Sequence, residues 1–175
     1  AREGAGELPR PLGHQLVDGH QRAPRDADLP EPLRIAPAGL REGLQDAASV
    51  VWGAGTQRPA WYIGLIAGVD GSEEVALADT LASHPGWTEL TSYSQATRPQ
   101  WTPTVAGGVA ADPQVTVFTF PAAASVRGLF LASNATKGGT SGILWATALF
   151  GTARAVKAGK SIRVSYTVRA AGGEE

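Results

Sequence analysis

Near its C-terminal end the chain alternates apolar and polar residues: Ile162, Val164, Tyr166 and Val168 interleave with Arg163, Ser165, Thr167 and Arg169. A period of two is the signature of a strand with one face in solvent. "QVTVFTF", "SVRGLFLAS" and "GILWATALFG" precede it as three further strand-like runs, each set off by turn residues. The last of these is apolar on both faces, as a central strand is. "AWYIGLIAG" is a fifth run, rich in aromatic and β-branched residues and bounded by Pro59 and "GVDGS". "GWTELTSY" and "RPQWTPTV" alternate loosely and read as edge strands, with Pro99 and Pro103 interrupting any continuous ladder.

A helical period occurs once with force. Leu40, Leu44, Ala47 and Val51 recur at the spacing of one helix face, after Pro37 and before Gly53 and Gly55. This predicts a short amphipathic helix over 38–52, with Gly43 as a weak point. "LADTLASH" is expected to form one or two helical turns.

Residues 1–37 follow neither period. Pro9, Pro11, Pro24, Pro30, Pro32 and Pro37 exclude a helix or a central strand there. The segment reads either as a solvated tail or as an extended arm that becomes ordered on a partner. Its scattered apolar residues Leu12, Leu16, Val17, Leu29, Leu33 and Ile35 favour the arm. The expected organisation is a proline-rich arm over 1–37 and a β domain over 38–175. The class is mainly β: an antiparallel β-sandwich, jelly-roll-like, with a short N-terminal helix and an extended N-terminal arm.

Composition narrows function more than fold. The formal net charge of -1 argues against a dedicated nucleic-acid binder or a polybasic membrane anchor. No run approaches the roughly 18 apolar residues of a membrane span, and no secretory leader is expected. The chain contains no cysteine, which removes disulfides, thiolate metal sites and cysteine nucleophiles together. Position 1 is alanine and methionine is absent throughout, as removal of an initiator would leave.

Candidate chemistry is sparse. Gly159-Lys160-Ser161 ends like a phosphate-binding loop, but Arg154 stands where the first glycine is required. A strand rather than a helix follows, so the tripeptide is a turn. Asp79, Ser83 and His84 carry the residue types of a hydrolytic triad; adjacent Ser83 and His84 before Pro85 read more plainly as the end of a turn. Asp70, Glu73 and Glu74 lack the spacing of a calcium loop and read as a solvated hairpin tip. Asn134-Ala135-Thr136 matches a glycosylation acceptor by coincidence. Among the tryptophans, Trp61 and Trp145 sit in apolar runs and are expected in the core. Trp87 and Trp101 adjoin Gly86 and Pro103 and are expected at a contact surface. "SNATKGGTSG" is expected to be a long, mobile hairpin loop. No catalytic, cofactor-binding or metal-ligating residue is assigned.

"WYIGLIAG", "LADTLASHPGWTELTSYSQATRPQW" and "VRGLFLASNATKGGTSGILWATALFGTARAVKAGKSIRVSYTV" together resemble a group of small structural proteins of tailed bacteriophages. The shared pattern is a "W-Y-x-G-L" strand, a "T-E…Y…A-T-R-P" segment and a "G-x-F-L…T-K-G-G-T-x-G-x-L" hairpin. It covers about residues 60–170 and leaves the arm unmatched. The resemblance implies a β-sandwich virion component without catalytic residues, best fitted by a capsid cement or decoration protein. Its implied partner is the major capsid protein on the outer shell surface, after synthesis in the bacterial cytoplasm. Self-association as a dimer or trimer is expected, with no cofactor, direct nucleic-acid contact or membrane. The expected contacts are the arm's Leu12, Leu16, Leu29, Leu33 and Ile35 and the edge-strand Trp87 and Trp101. The alternative is a tail or fibre module that binds host-surface carbohydrate through Trp87, Trp101 and the 133–142 loop; a small hydrolase is a third reading with less support.

Overall fold

The computed structural model describes residues 38–39, 41–107, 109–111 and 113–169. The chain divides into a unit over Ala1–Glu31 and one over Pro32–Glu175, and every described residue belongs to the second. The arm anchors Leu12, Leu16, Leu29, Leu33 and Ile35 lie outside the described residues, as does Leu40.

The second unit is mainly β with one short helix. A two-residue strand β1 (Ala38–Gly39) leads into the helix α1 (Arg41–Trp52), and β2 (Trp61–Ala67) follows. Short pieces come next: β3 (Glu89–Leu90), β4 (Gln100–Trp101), β5 (Thr104–Ala106), β6 (Val109–Ala111) and β7 (Thr116–Thr119). The long strands β8 (Ala124–Ala132) and β9 (Leu144–Val156) precede β10 (Ser161–Val164) and β11 (Thr167–Arg169). The largest sheet runs β1-β9-β8-β2-β3, with β4 also on β2; β7 pairs with β10, and β5-β6-β11 form a third sheet. Every pairing is antiparallel.

Side chains of β2 and β8 divide by parity, as a pleated strand requires. Ile63, Leu65, Leu129 and Leu131 enter the main core, joined across the bulge by Val126, and there meet Phe118, Val164 and Tyr166 from the segments of the small sheets. Residues of the large sheet and of the small-sheet segments therefore share one core. Ile66, Phe130 and Ala132 point to the opposite face and build a second core with Leu81, Trp87 and Leu144. Gly64, opposite Phe130 in the ladder, leaves room for that ring: a Cβ there would fall 2.1 Å from it.

Several expectations change in the structure. The apolar stripe of α1 does not face inward: Gly43 and Asp46 are its buried residues, while Leu44 and Val51 are exposed. A Cβ on Gly43 would sit 2.3 Å from the Trp145 carbonyl oxygen, so this glycine is the point where helix backbone meets β9 backbone. Glu42 fixes the approach by accepting the Leu144 backbone N–H at 2.9 Å. Asp46 is held by Arg58, whose Nε and terminal nitrogen donate to one carboxylate oxygen at 3.0 and 2.7 Å.

"LADTLASH" forms turns rather than helix, with Thr80 and Ser83 exchanging backbone hydrogen bonds. The final alternating run is not one strand. It breaks at Ser165–Tyr166 and hands the chain from β7 to β6, where the Tyr166 carbonyl accepts the Trp101 indole N–H at 3.1 Å. β9 continues past its apolar run to Val156 by means of a bulge. Val126 pairs Arg154 and Gly128 pairs Leu149, which leaves several residues of β9 opposite Arg127 alone.

Candidate interaction surface

The groups expected to do chemistry are engaged in holding structure. Asp79 Oδ2 accepts the Ala76 backbone N–H at 3.0 Å and the Trp87 indole N–H at 2.9 Å. His84 stacks on the same indole at 3.8 Å, and its Nδ1 donates to the Trp87 carbonyl at 2.9 Å. Acid and imidazole thus grip one tryptophan from two sides instead of forming an acid–imidazole pair. The adjacent Ser83 spends its backbone on the turn with Thr80.

The acidic turn at 70–74 splits in direction. Asp70 caps its own turn by accepting from the Ser72 N–H and hydroxyl at 3.0 and 2.6 Å. Those bonds hold its carboxyl below the ordinary range, the hydroxyl contributing most. Glu73 turns inward, where Oε1 accepts the Val69 and Asp70 backbone N–H groups. The Val69 contact leads in holding its carboxyl below the usual carboxylate range. Its other oxygen faces Arg127 Nε at 3.5 Å across the bulge. Glu74 remains exposed, and no trio of acidic or histidine side chains among the described residues is placed to share a metal ion.

Trp87 and Trp101 do not form a contact surface. They are only 4% and 6% exposed, one in each core, and their indole N–H groups are both bonded internally. A sugar-stacking platform at these two rings is therefore absent. Trp61 and Trp145 meet edge to face at 5.3 Å and pack against the main core, half-buried. The tryptophan in solvent is Trp52, 84% exposed at the end of α1.

The 133–142 loop is fastened rather than free. Arg98, buried among the strands, meets both oxygens of Glu89 and donates to the carbonyls of Asn134 and Gly139 at 2.8 and 3.1 Å. Its guanidinium also lies 5.1 Å from the Phe130 ring centre. Glu89 accepts the Gly138 N–H at 2.8 Å, so acid and base hold opposite sides of the loop. Lys137 reaches back to the carbonyls of Thr91 and Tyr93 at 3.0 and 2.9 Å and covers the Tyr93 ring at 4.3 Å. Gly138 and Gly142 supply the left-handed backbone this path needs, at φ 68° and 107°. Sequence reasoning missed the fastening; the cue was that Glu89 and Arg98 are the only acidic or basic residues, histidine aside, between Asp79 and Asp112.

Three surfaces remain for partners. A groove of about 430 Å³ runs between the β4 segment and β7, lined by Gln95, Pro99, Gln100, Thr102, Val115 and Val117 among others. None of its described lining residues is charged, so these offer extended chain or neutral polar groups a surface but supply no general acid or base. The turn from β9 into β10 carries Arg154, Lys157, Lys160 and Arg163, all exposed, with no acidic residue from Gly151 to Arg169. The outer face of α1 exposes Leu44, Val51 and Trp52. No helix among the described residues is long and apolar enough to cross a membrane. No protein-family model matches the chain, and no curated protein matches it.

Proposed function

We propose that this chain is a non-enzymatic structural protein of a tailed-phage virion, a cement or decoration protein that binds the major capsid protein and stabilises the shell from outside. One observation carries the reading. Residues from the segments that carry the resemblance, Glu89, Tyr93, Arg98, Lys137 and the two glycines after it, converge on one internal fastening. A pattern built to keep a hairpin rigid suits a protein whose work is mechanical. The side chains raised as possible acids and bases are likewise occupied with Trp87 and the 70–74 turn.

A cement protein acts through many modest contacts repeated over a lattice. Each copy stabilises the assembled state because it binds that state and not the disassembled one. The exposed face of α1, the basic β9–β10 turn and the uncharged groove offer such contacts, and the arm over 1–37 would add to them. The carbohydrate-binding alternative rested on Trp87, Trp101 and the 133–142 loop, and the burial of the two rings takes away its stacking faces.

The test compares particles assembled with and without the chain. Depleted particles should release DNA at a lower temperature while adsorbing to host cells normally. Collapsed adsorption with unchanged thermal release would place the protein in the tail and overturn this reading.

A further inference from the structure

The outer face of α1 is the strongest unexplained feature of the described residues. Gly43, Asp46, Ala47 and Val50 turn toward the β domain, and Arg41, Leu44, Gln45, Ala48, Val51 and Trp52 turn away. Leu44, Val51 and Trp52 are 61%, 65% and 84% exposed. An isolated exposed leucine needs no explanation, but an apolar stripe along three turns of one helix does.

The stripe has the form of a self-complementary surface. Its bulky residues lie toward the ends, and the small Ala48 lies at the centre, where two helices crossing would need to come closest. Charge selects the direction. The last turn of α1 carries no basic residue to offset the negative end of the helix dipole, whereas exposed Arg41 sits at the first position. Parallel pairing would bring two Arg41 side chains and two positive helix ends together. Antiparallel pairing sets each Arg41 against the partner's carbonyl end instead.

We propose that two copies of this chain pair through α1, antiparallel, about a twofold axis passing beside Ala48. Leu44 of one copy then lies against the partner's Trp52, Gln45 lies against the partner's Val51, and Arg41 reaches the turn at the partner's Gly53 to Gly55. The contact is isologous, so one surface serves both copies. A single pair of 12-residue helices buries less than the roughly 1,200 Å² of a stable interface. Pairing is accordingly weak in dilute solution, with a dissociation constant on the order of micromolar to millimolar. Nothing in this inference depends on the virion reading, and it is tested on the purified chain.

Sedimentation of the full chain from roughly 10 μM to 1 mM should show reversible dimerisation in the range given above. Ala48→Glu, at an exposed position where folding is undisturbed, should raise the dissociation constant by at least about tenfold. Because the protein has no cysteine, introduced thiols report the geometry directly. Ala48→Cys alone should cross-link to dimer under mild oxidation. Leu44→Cys and Trp52→Cys should cross-link when mixed and only slowly when separate. A chain that stays monomeric to 1 mM would overturn the proposal and assign the stripe to another occupant. So would a dimer indifferent to Ala48→Glu, or Leu44→Cys self-linking faster than the mixture.

Discussion

Arg98 and Glu89 face each other through two charge-assisted hydrogen bonds, Nε to Oε1 at 2.9 Å and a terminal nitrogen to Oε2 at 2.7 Å. Both side chains are almost wholly removed from water. Forked geometry of this kind is what arginine offers and lysine does not. The pair also bonds the 133–142 loop at three backbone groups, so the hairpin that joins β8 to β9 is tied to the segment leading into β4.

Removing one partner should be costly, because the other is left buried without its counter-charge. Arg98→Ala leaves the Glu89 carboxylate buried with the Gly138 N–H as its remaining partner and frees two loop carbonyls. The expected loss is about 3–5 kcal/mol, read as a shift in the urea midpoint. Arg98→Lys should recover little of it, since an ammonium cannot span both oxygens. A loss below about 1 kcal/mol for Arg98→Ala would show that the pair is dispensable to the fold.

Lys137 should act on the loop more than on the whole domain. Its ammonium satisfies the Thr91 and Tyr93 carbonyls and covers the Tyr93 ring. Lys137→Ala is expected to speed hydrogen exchange in the 136–140 amides while β2, β8 and β9 keep their protection. Equal exchange in both proteins would mean that Arg98 and Glu89 hold the loop alone.

Gly43 separates propensity from packing. In an isolated helix, alanine is favoured over glycine by about 0.8–1 kcal/mol. Here the added methyl would strike the Trp145 backbone, which cannot rotate away as a side chain can. Gly43→Ala should therefore destabilise, by about 1–3 kcal/mol, through overpacking. Thermal unfolding decides the sign, and a raised melting temperature would show that α1 can lift off β9 without cost.

Stability should fall at both ends of the pH scale for different reasons. Burial pushes the Tyr93 and Tyr166 phenols up, with Glu89 adding to the rise at Tyr93 and Arg98 opposing it. The folded chain keeps these protons where the unfolded chain releases them, so stability is lost as pH rises past about 10. Phenolate absorbance of these two groups should appear with unfolding rather than before it. Glu73 works in the opposite direction. Its lowered folded value contributes stability that is present above the ordinary glutamate range and lost as pH falls through the folded value. Glu73→Gln should flatten the acid limb of the stability profile; an unchanged limb would remove Glu73 as its source.

The local pattern of the chain determined much about this protein. The strand-like runs "QVTVFTF" and "SVRGLFLAS", each set off by turn residues, located β7 and β8. Pro103 did part β4 from β5, and Gly159 did turn the chain into β10 at φ 71°. What local pattern cannot carry is the identity of the surface that arrives from elsewhere. Leu44 and Val51 formed the more apolar helix face, yet the face with Gly43 went inward, because only a residue without a side chain lets α1 meet the β9 backbone. Trp87 and Trp101 stood beside turn residues and were nonetheless buried, each indole N–H having a specific acceptor in a distant or folded-back segment. Glu89, Arg98 and Lys137 meet only when the β8–β9 hairpin is brought over the 89–98 segment. Burial and pairing are properties of two surfaces at once, and a sequence displays them one at a time.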